Sequence, residues 1–164
     1  MNPTLPSSLP ARQRGQSLAE FAISLLVLLL LLTGAIETSL ALFQYVTLRD
    51  ASQEGALYGS INPTDVAGIQ AHAAAAANDV VEIRTDTVQV TIVNDGTELS
   101  VADAVTAGVA CEGQTNNSPH AVRVFVQFDH PVTFPFVSGM IGKDVITLRA
   151  SATNTILQPA CGAP

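Results

Sequence analysis

Basic side chains are scarce in this chain: 7 Lys and Arg stand against 14 Asp and Glu, and the net charge is −7. Neutralising a row of phosphates needs a row of cations, and no basic stripe with interleaved aromatics exists here. Nucleic acid is therefore excluded as a partner; the acidity reads as solubility of an exposed part. Cysteine is scarce too. Cys111 and Cys161 have no second Cys or His at metal-ligand spacing, which leaves no zinc site. In an oxidising compartment such a pair forms a disulfide, and in a reducing one it is two idle thiols. Catalytic signatures are missing as well: no H-E-x-x-H, no C-x-x-C, no phosphate-cradling glycine loop, and no G-x-S-x-G, since Ser138 sits in Phe-Val-Ser-Gly-Met. Asp129 and His130 are neighbours, which puts them on opposite faces of a strand and argues against a dyad. His72 reads as a packing or surface residue, and His120 and His130 as loop residues flanking a strand. The chain reads as a non-enzyme with no cofactor and no metal.

What the sequence does have is one long apolar run. Residues 21–36 carry no charge, and Gln16 to Ala19 before them are mostly small or apolar. Together they approach the ~20 residues needed to cross a bilayer core, so residues 18–36 are predicted to span a membrane. Arg12 and Arg14 precede the run and the first charges beyond it are acidic. The positive-inside rule then puts the N-terminus in the cytoplasm and everything after about Ile36 outside. Export makes a Cys111–Cys161 disulfide the expected state. The helical pattern continues through Leu40, Phe43, Val46 and Thr47, and through Ala41, Tyr45 and Leu48, until Asn62-Pro63. A helix over 16–60 would be roughly 65 Å long at ~1.5 Å per residue, about twice the hydrocarbon thickness. Its outer half must stand outside the membrane.

A glutamate, Glu20, stands at the mouth of the run, and Glu37 closes it. Three readings of this N-terminus compete. In a plain signal anchor, Glu20 complements the positive end of the helix dipole, worth under ~1 kcal/mol. In a secretory signal peptide, cleavage would follow Ser39-Leu40-Ala41, but the apolar run is longer than the ~7–15 residues of such a segment. In the third, the basic leader 1–15 is removed after Gly15, leaving Gln16 as the new N-terminus and Glu20 as the fifth mature residue.

The third reading rests on a resemblance. RGQSLAEF before a leucine-rich run resembles the class III leader of type IV pilins, cut at G-x-x-x-x-E. The segment LFQYVTLRDASQEGALYGS resembles the TadE-like pseudopilins of tight-adherence (Flp) pilus systems. Glu54, Gly55, Ala56 and Tyr58 match that family's motif, while Gln53 and Leu57 stand where it usually has arginines. The resemblance implies a prepilin peptidase acting between Gly15 and Gln16. It also implies that Glu20 pairs with the N-terminal amine of a neighbouring subunit, which would relieve a charge whose burial in a bilayer costs at least ~2.5–3.5 kcal/mol. Other pilins, the assembly platform and membrane lipid are the implied partners.

The remainder, 61–164, is predicted to be an exported α+β domain. Asn62-Pro63 offers an N-cap and a first helical position for an alanine-rich second helix ending near Asn78. The period then changes to two. TVQVTIV (87–93) and ELSVADAV flank an Asn94-Asp95-Gly96-Thr97 hairpin signal. AVRVFVQFDH (121–130) puts Val122, Val124, Val126 and Phe128 on one face. VITLRASATNTI (145–156) puts Ile146, Leu148, Ala150 and Ala152 on one face, and the proline-containing connection between these two strands reads as irregular. Asn116-Asn117-Ser118 is a chance-level sequon in a loop. Four strands with one apolar face need a cover, and the outer half of the long helix supplies it. This is a pilin-like architecture with a membrane-spanning helix, placing the protein in the bacterial inner membrane with its domain outside. The alternative is a signal-anchored extracellular binding module unrelated to pili.

Overall fold

A computed structural model of the chain describes residues 12–77, 80–110, 114–115 and 118–157. Cys111, Cys161 and most of the sequon lie outside them. Helix α1 runs unbroken from Arg12 to Ile61. No proline interrupts this span, and Pro63 limits it: the residue before a proline is pushed out of the helical region, so Asn62 ends the helix. Asn62 does not cap the next helix, contrary to the sequence expectation. Pro63 is spent on a turn closed by Asp65 N–H to Asn62 O at 3.2 Å. Helix α2 (Val66–Ala77) starts after it, and its cap is Asp65, whose Oδ1 accepts from Gly68 N at 3.0 Å.

Strands β1 (Val88–Asn94) and β2 (Thr97–Ser100) form the expected hairpin. Asp95 and Gly96 take φ of 50° and 80°, the left-handed pair that a type I′ turn requires. ELSVADAV is a strand only to Ser100, and the rest is a short helix, α3 (Val101–Thr106). Local capping overrides the alternation: Ser100 Oγ accepts from Asp103 N at 3.1 Å and donates to Asp103 Oδ2 at 2.6 Å. A two-residue ladder joins β3 (Gln114–Thr115) to β4 (Ser118–Pro119). β5 (Ala121–Pro131) and β6 (Val145–Thr155) pair along their full length, Ala121 opposite Thr155 and Pro131 opposite Val145. Their connection is not wholly irregular. Pro135 occupies the first turn of helix α4 (Pro135–Ile141), where a missing N–H is harmless, and Gly142 at φ 72° terminates it with its N–H on Ser138 O.

The main sheet has the order β2-β1-β5-β6 and is antiparallel throughout. This long apolar helix packed on a four-stranded antiparallel sheet, with shorter helices beside it, is an α+β fold. Val122, Val124 and Val126 of β5 are fully or almost fully buried beneath α1 and α2, with Phe128 half-buried, as the alternation predicts. The opposite face carries polar cross-strand pairs: Arg123 with Glu98 and Thr153, Thr147 with Asp129, Arg149 with Gln127.

The face that α1 turns to the sheet is built mostly of small residues. Leu40, Phe43 and Val46 are exposed, whereas Leu48, Ala51, Ser52, Gly55, Ala56, Gly59 and Ser60 are buried. Small residues face inward because the backbones approach closely. A Cβ on Gly55 would lie 3.0 Å from Ala73 Cβ, and one on Gly59 would lie 2.9 Å from Val122 Cγ1. These two glycines, one helical turn apart, let α2 and β5 nest against α1 together.

Candidate functional site

Among the described residues, the inner half of α1 is left largely uncovered. Gly15, Gln16 and Glu20 are exposed, and so are Phe21, Ile23 and all but one (Leu30) of the leucines of the apolar run that follows. Over Gly15–Ile61 the helix is long and apolar enough to cross a membrane, and its most apolar window has no buried share. Contiguous bare apolar surface of this extent marks a membrane or partner contact. Thr33 Oγ1 within it donates to Leu29 O, and Thr38 Oγ1 just beyond it to Gly34 O, each at 2.7 Å, bonds that keep these hydroxyls satisfied in a medium without water. Gln16 Nε2 donates to Glu20 Oε1 at 3.1 Å, one turn apart, so the carboxylate lies over the first turn of a chain beginning at Gln16.

Where the apolar run ends, sequence reasoning missed a polar cluster. His130 is not a loop residue: it lies in β5 on the buried side, 2% exposed. The parity of Val122, Val124, Val126 and Phe128 extends to it, and that was the available signal. Its Nε2 donates to Glu37 Oε1 at 3.1 Å and its Nδ1 meets Gln44 Oε1 at 2.6 Å. Glu37 and Gln44 are two helical turns apart, which puts both on one face of α1 about 10 Å from each other, with the imidazole wedged between. Thr133 N also donates to Glu37 Oε1, at 3.0 Å, and Glu37 is 4% exposed. The bonds of this cluster tie the end of β5 and the turn after it to α1. His120 is fully buried next to β5 rather than solvated, and its carbonyl accepts from Ile156 N at 2.9 Å.

The family-like motif of α1 is chiefly a packing device. Gly55 admits α2 and β5, and Ala56 is fully buried. Tyr58 Oη donates to Asp65 Oδ2 at 2.8 Å, and its ring stacks on His72 with centroids 4.2 Å apart. Tyr58 thus latches the start of α2 to the end of α1. Glu54 is exposed, beside a groove between residues 49–57 of α1 and 151–154 of β6.

The Gly68 N–H and then the Tyr58 hydroxyl hold the Asp65 carboxyl below its ordinary value, while the bond to Asp65 raises the Tyr58 phenol. A depressed carboxyl contributes stability above its unfolded pKa and loses it as pH falls through the lower folded value. A raised phenol contributes below its unfolded pKa and loses it as pH rises through the folded value. The latch should therefore open at both extremes. Protection of the Gly68 amide, measured relative to its intrinsic exchange rate at each pH, is expected to fall on acidification, and Asp65→Ala should show the low protection throughout.

Residues 15–57 match the family model described as TadE-like protein. No curated protein and no solved structure is a match. The matched stretch contains the G-x-x-x-x-E element, the bare apolar helix and three of the four motif residues, Glu54, Gly55 and Ala56, and over these residues the chain is similar to TadE-like proteins.

Proposed function

We propose that the chain is a pseudopilin that acts in the biogenesis or priming of a tight-adherence (Flp) pilus. A prepilin peptidase removes residues 1–15, the helix spans the inner membrane over 18–36, and 61–164 form the exported domain, with Cys111 and Cys161 joined there. The family match over 15–57 carries this reading, because it contains cleavage element, span and motif in one continuous segment. A bare inner half of α1 and exposed Leu40, Leu42, Phe43 and Val46 on its outer half supply apolar surface for other pilin helices. The proposed work of Glu20 is pairing with a neighbour's new α-amino group.

Intact-mass analysis of membrane-extracted protein tests the processing. The expected chain begins at Gln16 and is lighter by the hydrogens lost to one disulfide. A chain that retains its leader would favour the signal-anchored binding module, and one beginning at Leu42 a secreted protein. Glu20→Gln keeps shape and removes charge. It is expected to reach the membrane at normal abundance yet lose co-purification with partner pilins; undiminished co-purification would reduce Glu20 to a dipole effect of under ~1 kcal/mol.

A further inference from the structure

β5 runs against α1, from Val122 beside Gly59 to His130 beside Glu37. The separation is consistent along both elements, about 33 Å of helix against about 27 Å of strand. The turn after β5 is therefore level with Glu37, one residue past the apolar run, and the Thr133–Glu37 bond fastens it there. From that turn projects α4, and residues 131–142 carry no charge. None of its side chains is buried: Phe136 is 51% exposed, Met140 76% and Ile141 49%, with Val145 just beyond at 46%. Phe136 and Met140 lie one helical turn apart, so they share a face.

We propose that α4 is a second membrane contact, an apolar foot that dips into the outer leaflet beside the exit of α1. The occupant of this face is lipid because the face is continuous with the end of the spanning helix and held at its level. Lys143 and Asp144 follow α4 directly and cancel each other's charge, so the contact is apolar and insensitive to salt. A foot of this kind sits about 5–10 Å into the headgroup boundary and fixes the tilt of the domain over the bilayer. The inference rests on the reading of 18–36 as membrane-spanning.

The chain has no tryptophan, so single substitutions supply unique fluorophores at exposed positions. Full-length Met140→Trp, Phe136→Trp, Leu28→Trp and Leu157→Trp would each be reconstituted in phosphatidylethanolamine–phosphatidylglycerol vesicles brominated either near the glycerol or near the chain ends. Leu157, whose N–H donates to Ser60 O at 2.8 Å, marks the far end of the domain. Met140→Trp and Phe136→Trp should shift to the blue and be quenched most by shallow bromines, at low and high salt alike. Leu28→Trp should be quenched most by deep bromines, and Leu157→Trp by neither. Quenching at Leu28→Trp with none at Met140→Trp or Phe136→Trp overturns the foot and leaves the span standing. A blue shift that grows with protein-to-lipid ratio without quenching overturns it in favour of a second copy of the chain. Absence of quenching at Leu28→Trp removes the spanning reading and the foot with it.

Discussion

His130→Ala is expected to destabilise the domain by about 1–3 kcal/mol, the range for leaving a buried hydrogen-bonding group without its partner. Glu37 accepts at Oε1 from His130 and Thr133, while its Oε2 is buried with no hydrogen-bond partner among the described residues. Without the imidazole, the carboxylate is left with one backbone N–H in a site closed to water. Gln44 loses its partner as well. Denaturant titration of the full-length protein in mild detergent would measure the loss. The double variant Glu37→Gln/His130→Ala separates charge from volume: recovery of much of the stability identifies the stranded carboxylate, whereas an equal loss assigns the effect to the cavity.

Gly15→Val is expected to leave a full-length precursor in the membrane and to abolish piliation. The cause must lie outside the fold. A Cβ at Gly15 would meet nothing within 4 Å, and valine is no worse than glycine as a helix former, so the chain itself tolerates the substitution. What it changes is the residue before the proposed scissile bond, where a branched side chain would crowd a peptidase pocket fitted to hydrogen. Mass analysis of the variant beside wild type provides the measurement. A mature N-terminus at Gln16 from the variant would remove Gly15 as the specificity residue.

The sequence made the elements with strong periodicity legible. The span of α1, the alternation in β1, β5 and β6, and the Asp95-Gly96 hairpin each follow from one local signal. Misreadings came where two signals overlapped. Asn62-Pro63 suits both a helix start and a turn, and the choice fell to Asp65, which caps α2 locally through Gly68 N and bonds Tyr58 once α1 and α2 meet. Ser100 to Asp103 is a capping box inside an alternating stretch, and capping prevailed. On α1 the helical spacing marks two stripes without saying which one packs; a helix lying this close to a sheet presents Gly55 and Gly59. The Glu37–His130–Gln44 cluster was hidden for a different reason. Its members are far apart in sequence, and only the parity of β5, carried past Phe128, marks His130 for the buried side.

The wedge between Glu37 and Gln44 also has a mechanical meaning. Along α1 the sheet is held near Gly59, where Val122 fits against the missing Cβ, and at Glu37, where His130 sits between two side chains. Sliding the helix by one residue would expel the ring and drive Val122 out of its notch together. An axial load on α1 is thus borne in shear by both ends at once rather than peeled from one. The helix and sheet then move together, and a pull on the N-terminal end of α1 is shared by both contacts.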